Sequence, residues 1–200
     1  MNAVPGPTSK GKQRRTALLD AAERVLSSSG GSQLTLRAVA EEAGVRLGHL
    51  QYYFPARTDL LSALLDRVLA SSLERVTALT VAPTHGSGYE ARLDNLLSDH
   101  EDPRLVRLFT EVWSLAAHDE EAAAAVRAFY DQYVTHVAVF IEDQAPGLSA
   151  AEARPRAEVF VMLMEGSALF RSGITGRRTA GADALLRETA LALLAGVATR

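Results

Sequence analysis

The feature that most constrains this chain is the segment of residues 35–54, which is predicted to form two short helices joined by a tight turn. Thr35 can cap the first helix, because its hydroxyl accepts a hydrogen bond from an amide that the first turn leaves unpaired. Gly44 can adopt the left-handed backbone conformation that ends a helix. The second helix is predicted at about Leu47–Tyr53, and Pro55 stops it. Such a pair of helices can place the second one in the major groove of DNA.

The second helix carries two sets of side chains. The apolar set, which would be buried, is Leu47, Leu50 and Phe54. The polar and aromatic set is Arg46, His49, Gln51, Tyr52 and Tyr53. Exposed aromatic rings are difficult to explain on a helix that faces only water, whereas the phosphates and base edges of DNA offer them partners. The pattern therefore indicates DNA recognition.

Apolar residues at helical spacing extend through the rest of the chain, and no strand pattern competes with them. Further helices are expected at about residues 12–29, 57–80, 89–98, 103–117, 119–144, 149–172 and 183–198. Asp102, Asp119 and Ser149 are placed to cap three of these helices. Pro155 should kink its helix or restart it, because proline removes a hydrogen bond inside a helix. The predicted fold class is all-α.

Four stretches in the N-terminal part resemble a known family. They are Arg15–Arg24, Thr35–Ala40, Gly44–Pro55 and Arg57–Leu61. Over about residues 14–65 the chain resembles the N-terminal domain of TetR-type transcriptional regulators, and beyond it only the helical layout is similar. The resemblance implies an N-terminal three-helix helix-turn-helix DNA-binding domain and a C-terminal helical domain for ligand binding and dimerisation. The expected divisions are a basic arm at 1–11, the DNA-binding domain at 12–56 and the helical domain at 57–200.

The resemblance implies that one group of residues contacts the DNA backbone. Thr35 should meet a phosphate, and Arg37 can reach either a phosphate or a guanine edge. Tyr52 and Tyr53 match aromatic positions that hold the backbone. Arg57 stands where the family usually has lysine, and it can still bind a phosphate.

A second group is implied to read the bases. Arg46, Leu47 and His49 lie at the start of the recognition helix, where base edges are met. Gln51 departs from the usual tyrosine, and either adenine or a phosphate can be its partner. Ala56 replaces a usual capping residue, which should weaken the start of the following helix by ~1 kcal/mol at most.

The aromatic residues of the C-terminal part are candidates for an effector cavity. They are, with two histidines and a methionine, Phe109, Trp113, His118, Tyr130, Tyr133, His136 and Met164. Apolar walls with a few polar groups are typical of such pockets. The alternative is that each of these residues belongs to an ordinary core, which is the more frequent role of an aromatic stripe at helical spacing. Trp113 is the strongest candidate, and the sequence does not identify the small-molecule effector.

Two predicted helices, at about 119–144 and 149–172, are more apolar than a single buried stripe requires. A homodimer that pairs them with their copies in a four-helix interface would bury the excess, and the resemblance implies the same interface. Simple packing within one chain is the alternative.

The charge distribution supports a DNA-binding N-terminal part. Residues 1–57 carry eight Lys and Arg against four Asp and Glu, whereas the rest of the chain carries 13 against 20. A basic lobe on an acidic body directs one face toward DNA. The cations Lys10, Lys12, Arg14 and Arg15 either contact phosphate as a flexible arm or belong to a solubilising tail.

Other classes of function are disfavoured. The chain has no cysteine, and its five histidines show no metal-ligand spacing. We expect no catalytic residue, no metal and no cofactor. No apolar run approaches the ~20 residues of a membrane span, so we expect a cytoplasmic protein without membrane contact. A helical small-molecule-binding or scaffolding protein without DNA affinity stays open as an alternative, and so does, with less support, an enzyme.

The sequence thus predicts a ligand-responsive regulator. Repression is the more common outcome in the family that it resembles, so a repressor is expected. It would bind a palindromic double-stranded DNA operator as a homodimer and be released by a small molecule. The helix at about Arg57–Thr80 would transmit the change between the two domains.

Overall fold

The structure is a computed structural model that describes residues 9–80, 88–145, 147–176 and 178–196. Over these ranges the chain forms nine α-helices and one 3₁₀ turn, and no strand. The helices are α1 Ser9–Ser29, α2 Leu36–Glu42, α3 Leu47–Tyr53, α4 Arg57–Thr80, α5 Gly88–Asp99, α6 Pro103–Ala116, α7 Glu120–Gln144, α8 Ala150–Arg171 and α9 Ala180–Leu194. The all-α prediction is confirmed. Residues 1–8 of the predicted basic arm lie outside the described residues. The cations Lys10, Lys12, Arg14 and Arg15 belong to helix α1 rather than to a flexible arm.

The chain divides into two compact units. The first consists of the described part of Met1–Val68 together with Arg107–Ala123, and the second of the described parts of Leu69–Val106 and Ala124–Arg200. Helices α4, α6 and α7 therefore each contribute residues to both units. The domain boundaries expected from the sequence stay a prediction.

The core of the first unit is built on the apolar face of α1. Leu18, Ala22 and Leu26 are almost completely buried, as their spacing of one helical turn predicts. Helices α2 and α4, helix α3 and the residue after it contribute further buried side chains to this unit: Val39, Ala40, Leu50, Phe54, Leu60 and Leu64. This packing fixes α2 and α3 against a larger helical base.

Several helices in the second half of the chain begin with a side chain that caps them. The carboxylate of Asp102 accepts a hydrogen bond from the Arg104 amide at 2.8 Å, and that of Asp119 accepts one from Ala122 at 2.8 Å. At the start of α8, Glu152 accepts a hydrogen bond from the Ser149 amide at 2.9 Å. The three predicted helix starts are confirmed, because each side chain satisfies an amide that the helix cannot.

Two predictions about helix boundaries need correction. Helix α8 runs through Pro155, so the restart expected there is wrong, whereas the kink stays a prediction. Pro155 lies in the second turn, so the helix loses one hydrogen bond near its end and continues. Helix α9 begins at Ala180 rather than near Asp183, because the hydroxyl of Thr179 accepts a hydrogen bond from the Ala182 amide at 3.2 Å.

The apolar stripe of α7 is buried within the second unit. Its members are Phe129, Tyr133, Val134, Val137, Phe140 and Ile141. This burial is what the simpler alternative, packing within one chain, expects of the stripe. Val139 on the same helix exposes 53% of its surface, and the pairing of α7 and α8 with their copies stays a prediction. The exposed large apolar residues lie mainly on α8, after it and on α9: Val159, Met162, Phe170, Ile174 and Leu185.

None of the helices formed by the described residues is both long and apolar enough to cross a lipid bilayer.

Candidate nucleic-acid interface

Three local interactions shape the pair of short helices. The hydroxyl of Thr35 accepts a hydrogen bond from the Ala38 amide at 3.1 Å and so caps α2. Gly44 has φ of +63°, the left-handed conformation expected of the residue that ends this helix. The amide of Val45 then donates to the carbonyl of Ala40 at 2.9 Å and closes the turn. The predicted helix-turn-helix is present.

The weak start expected for α4 has a compensation that the sequence analysis missed. The amide of Ala56 donates a hydrogen bond to Oδ2 of Asp59 at 2.8 Å. Asp59 stands three residues after Ala56 and fills the role of the acidic member of a capping box. The spacing of these two residues is the signal that could have revealed it.

Helix α3 separates its buried and exposed side chains as predicted. Leu50 and Phe54 are buried, and they anchor the helix to the unit. Arg46, His49 and Gln51 are exposed, and Tyr52 exposes 81% of its surface. The predicted DNA-contacting residues of α3 therefore share one helix whose opposite face is fixed by packing.

The partly buried exceptions on α3 are Leu47 and Tyr53. The ring of Tyr53 lies 5.7 Å from that of His49 and 5.1 Å from that of Tyr52, measured between centroids. The Tyr52 pair meets edge to face, an arrangement that aromatic rings favour. The three rings form a continuous aromatic surface along the exposed side of α3.

Helix α1 contributes two cations beside α3. Nε of Arg14 donates a hydrogen bond to Nε2 of His49 at 3.2 Å. The guanidinium of Arg15 lies 5.1 Å from the centroid of the Phe54 ring, which is within the range of a cation–π interaction. The exposed end of this unit therefore combines guanidinium groups with aromatic rings, the groups that phosphates and bases contact.

Arg57 serves the fold of the first unit. Its Nε donates to the carbonyl of Leu34 at 2.8 Å, and one terminal nitrogen donates to the carbonyl of Gly31 at 2.9 Å. These two bonds occupy part of the five-donor guanidinium. The phosphate contact implied for Arg57 stays a prediction, as do the DNA contacts of Thr35, Arg37, Arg46, Leu47, His49, Gln51, Tyr52 and Tyr53.

The candidate effector residues fall into two groups, one in each unit. In the first unit, the rings of Phe109 and Trp113 meet at 6.3 Å between centroids, and His118 is exposed. In the second unit, Tyr133 and Met164 are buried. Burial is expected both of a core residue and of a pocket wall, so the ligand role of these residues stays a prediction.

Tyr130 and His136 complete the second group. Tyr130 is partly buried, with its ring 5.0 Å from that of Phe129. The Nδ1 atom of His136 bonds to the carbonyl of Gln132 at 2.7 Å, so this nitrogen is held by its own helix. His136 is consequently a weaker candidate than Tyr130.

Glu165 is a functional candidate that the sequence analysis missed. It lies on α8 and bonds to the side chain of Tyr130. Burial raises the pKa of the Glu165 carboxyl to about 7, although the bond to Tyr130 acts in the opposite direction. Burial also raises the pKa of Tyr133 well above its usual range, and the charge of Glu165 adds to this shift. The signal was a lone carboxylate in an otherwise apolar run, residues 159–164, and the glycine after it.

Among the described residues, no group of three or more histidine, aspartate or glutamate side chains could hold a metal ion.

Comparison with known proteins agrees with this geometry. Residues 18–64 match the family model described as bacterial regulatory proteins of the tetR family. An HTH-type transcriptional regulator from the dhlA 5′ region of Xanthobacter autotrophicus is 31% identical over 143 residues, covering 68% of this chain and 68% of that protein. The transcriptional repressor KstR of Rhodococcus jostii is 34% identical over 120 residues, covering 58% of this chain and 53% of that protein.

A solved structure extends the likeness to the whole fold. A transcriptional regulator from Saccharomonospora viridis in complex with choline superimposes with a TM-score of 0.72 at 20% identity, covering 94% of this chain and all of that one. At this identity the likeness concerns the fold alone.

The helix-turn-helix, with its recognition helix exposed and its base packed, defines a DNA-binding transcriptional regulator. The chain belongs to the TetR family of bacterial regulators, whose members regulate transcription and are not enzymes.

Proposed function

We propose that this protein is a ligand-responsive repressor that binds a palindromic operator as a homodimer and is released by a small molecule. The observation that carries the DNA-binding part is the exposed face of α3, held by the buried Leu50 and Phe54. A homodimer would place two copies of α3 in successive major grooves, about 34 Å apart. The relative KstR of Rhodococcus jostii is named a transcriptional repressor, which supports repression as the effect of this protein on transcription.

The roles of the DNA-contacting residues follow from their positions. Arg46 and His49, exposed at the start of α3, would read base edges, and Arg46 can bond both acceptors of a guanine. At the start of α2, Thr35 would contact a phosphate, and Arg37 either a phosphate or a guanine edge. Tyr52, the most exposed of the large apolar residues described, would lie along the backbone.

The exposed apolar residues of α8 and α9 support the homodimer. Met162 and Phe170 expose 70% and 60% of their surfaces. A groove of about 390 Å³ lies beside them and is lined also by Gly166, Thr179 and Leu186. A side chain at Gly166 would meet no atom of the described chain within 4 Å, so the small residue leaves room that a second copy can fill. The proposed dimer face therefore consists of α8 and α9.

The proposed effector site centres on the carboxyl of Glu165 and the ring of Tyr130. Glu165 forms no ion pair with any cation of the described chain. Glu165 is partly buried, and this burial disfavours its charged form, so a cationic ligand beside the carboxyl would favour that form. The neighbouring rings of Tyr130 and Phe129 would favour an organic cation through their faces. The structural relative in complex with choline adds support for this ligand class.

Selection from a random pool of duplexes tests the DNA-binding part. The proposal expects enrichment of an inverted repeat, with binding that weakens steeply as salt rises, because phosphate contacts release counterions. A folded protein that enriches no sequence and binds no duplex at low salt would favour the alternative, a helical ligand-binding or scaffolding protein without DNA affinity.

Calorimetric titration tests the effector part separately. The probe is choline, and the matched control is 3,3-dimethyl-1-butanol, which replaces the cationic nitrogen with carbon. We expect choline alone to bind, and Glu165→Gln to lose that binding. Equal binding of both compounds, or none, would contradict a cationic effector and leave the DNA-binding proposal standing.

A further inference from the structure

Glu111 on α6 holds the junction between α1 and α2. One oxygen of its carboxylate accepts a hydrogen bond from the Gly31 amide at 2.7 Å. The two residues are 80 positions apart in sequence and both belong to the first unit. Gly31 is buried and Glu111 only partly exposed, so water competes weakly for this charge-assisted bond.

The same peptide is held from a second helix. The carbonyl of Gly31 accepts a hydrogen bond from the guanidinium of Arg57 at 2.9 Å, and Arg57 also donates to the carbonyl of Leu34 at 2.8 Å. Both polar groups of Gly31 are thus bonded outside the junction, the amide to α6 and the carbonyl to α4. Thr35, which caps α2, directly follows Leu34 in the chain. The bonds of Arg57 and Glu111 therefore hold the backbone immediately before α2.

The close approach of Glu111 explains why two glycines stand here. Gly30 has φ of +82°, which side chains rarely adopt. A Cβ atom at Gly30 or at Gly31 would lie 3.2 Å from an oxygen of the Glu111 carboxylate. A side chain at Gly30 would be strained by this φ, and at either position the Glu111 carboxylate would have to shift by a few tenths of an ångström, which would disturb its bond to the Gly31 amide.

We propose that Glu111 is a positioning residue for DNA binding, which with Arg57 fixes the junction that leads into α2 and thereby the orientation of the recognition helix α3. The inference rests on α3 as the DNA-reading helix of the proposed function. Glu111 itself does not contact DNA in this account.

The test compares Glu111→Ala and Glu111→Gln with the wild-type protein. Alanine removes the acceptor, whereas glutamine keeps a neutral one. Glu121→Ala is the matched control, because Glu121 is an exposed carboxylate at the start of α7 in the same unit, away from the proposed DNA-binding and dimer faces. Three quantities are measured on the full chain: amide hydrogen exchange at residues 31–36, the midpoint of thermal unfolding, and the dissociation constant for a selected duplex at several salt concentrations.

We expect Glu111→Ala to speed exchange of the Gly31 amide about tenfold or more, since a hydrogen bond to a charged group is lost. The dissociation constant should rise about tenfold at every salt concentration, with the salt slope unchanged because no phosphate contact is lost. Glu111→Gln should restore most of the affinity, and Glu121→Ala should change none of these quantities.

Unchanged exchange and affinity in Glu111→Ala would overturn the inference. A reduced salt slope would overturn it as well, by making Glu111 part of the electrostatic contact with DNA. If the affinity loss is accompanied by a lower midpoint of thermal unfolding and glutamine does not rescue it, Glu111 contributes only to general stability. That result would also overturn the inference. If the wild-type protein binds no duplex, the proposed function fails instead, and exchange at residues 31–36 alone decides whether Glu111 holds the junction.

Discussion

Arg14 and His49 are joined by a hydrogen bond across the exposed end of the first unit, with 3.2 Å between the two Nε atoms. The arginine donates, so Nε2 of the neutral imidazole is the acceptor and Nδ1 carries the proton. The bond thereby selects a tautomer and an orientation of a side chain on the recognition helix. His49 would present an N–H donor to an acceptor on a base edge.

Arg14→Ala should therefore change base preference as well as affinity. We expect discrimination at the base read by His49 to fall by ~1 kcal/mol, because the ring loses its orienting partner. Competition between duplexes that differ at single positions measures this. Arg15→Ala is the charge-matched control, since Arg15 lies over Phe54 rather than His49. Equal effects of the two variants on base preference would contradict the role of Arg14.

Arg46→Ala should relax sequence recognition at one position of the operator. The loss of a bidentate contact with guanine costs ~1–3 kcal/mol of discrimination. The ratio of the dissociation constants for the selected site and its single-base variants is the measurement. Uniform weakening across all sequences would instead assign Arg46 to a phosphate.

Met162→Glu should disrupt the homodimer. Met162 exposes 70% of its surface on α8, and a glutamate buried there without a partner costs ~3 kcal/mol or more. Analytical ultracentrifugation should show a dimerisation constant weakened about a hundredfold. Val139→Glu, on an exposed position of α7, should leave the assembly state unchanged. The opposite pattern would move the interface from α8 to α7.

His100 should destabilise the fold in acid. Burial, and the charge of Arg171, lower the pKa of His100 to about 4. Its contribution is fully present above the usual histidine pKa of 6.5 and is lost as the pH falls toward 4, because the unfolded chain binds the proton first. We expect a loss of ~2 kcal/mol over this window. Urea unfolding at several pH values measures it, and His100→Gln, which is neutral throughout, should flatten this part of the profile. An unchanged profile in the variant would contradict the prediction.

Glu165 should act in the opposite direction over nearly the same window. Its pKa is raised by burial to about 7, so the folded protein binds the proton more tightly than the unfolded chain. Stability should therefore fall, by ~2 kcal/mol, as the pH rises from 4.5 to 7. The difference in unfolding free energy between wild type and Glu165→Gln isolates this effect from that of His100. A difference that does not vary with pH would contradict the raised pKa.

The helices could be predicted from the sequence where apolar spacing and caps agree. The range of α3 at Leu47–Tyr53 was predicted correctly, because Gly44 and Pro55 bound it closely. The predicted start of α9 was wrong because Asp183 also fits the pattern of a helix start, whereas the hydroxyl of Thr179 forms the cap. The restart expected at Pro155 does not occur, because a proline in the second turn of a long helix removes only one of its hydrogen bonds.

The candidate site was only partly accessible to sequence reasoning. The exposed face of α3 follows from helical periodicity alone. The hydrogen bonds of Glu111 and Arg57 to Gly31 join residues far apart in the chain, so no local sequence pattern predicts them. The same holds for the bond between Glu165 and Tyr130, which lie on different helices. The apolar stripe of α7 is packed within the chain, and whether the helix also pairs with a copy stays a prediction, because composition does not distinguish a buried core from an interface.

The most direct measurement of the central claim is the affinity of the purified protein for double-stranded DNA at rising salt concentration, after selection from a random pool. The account predicts an enriched inverted repeat, bound by two subunits, with a dissociation constant that increases steeply with salt. A folded protein that enriches no sequence and shows no salt-dependent binding to any duplex would contradict it.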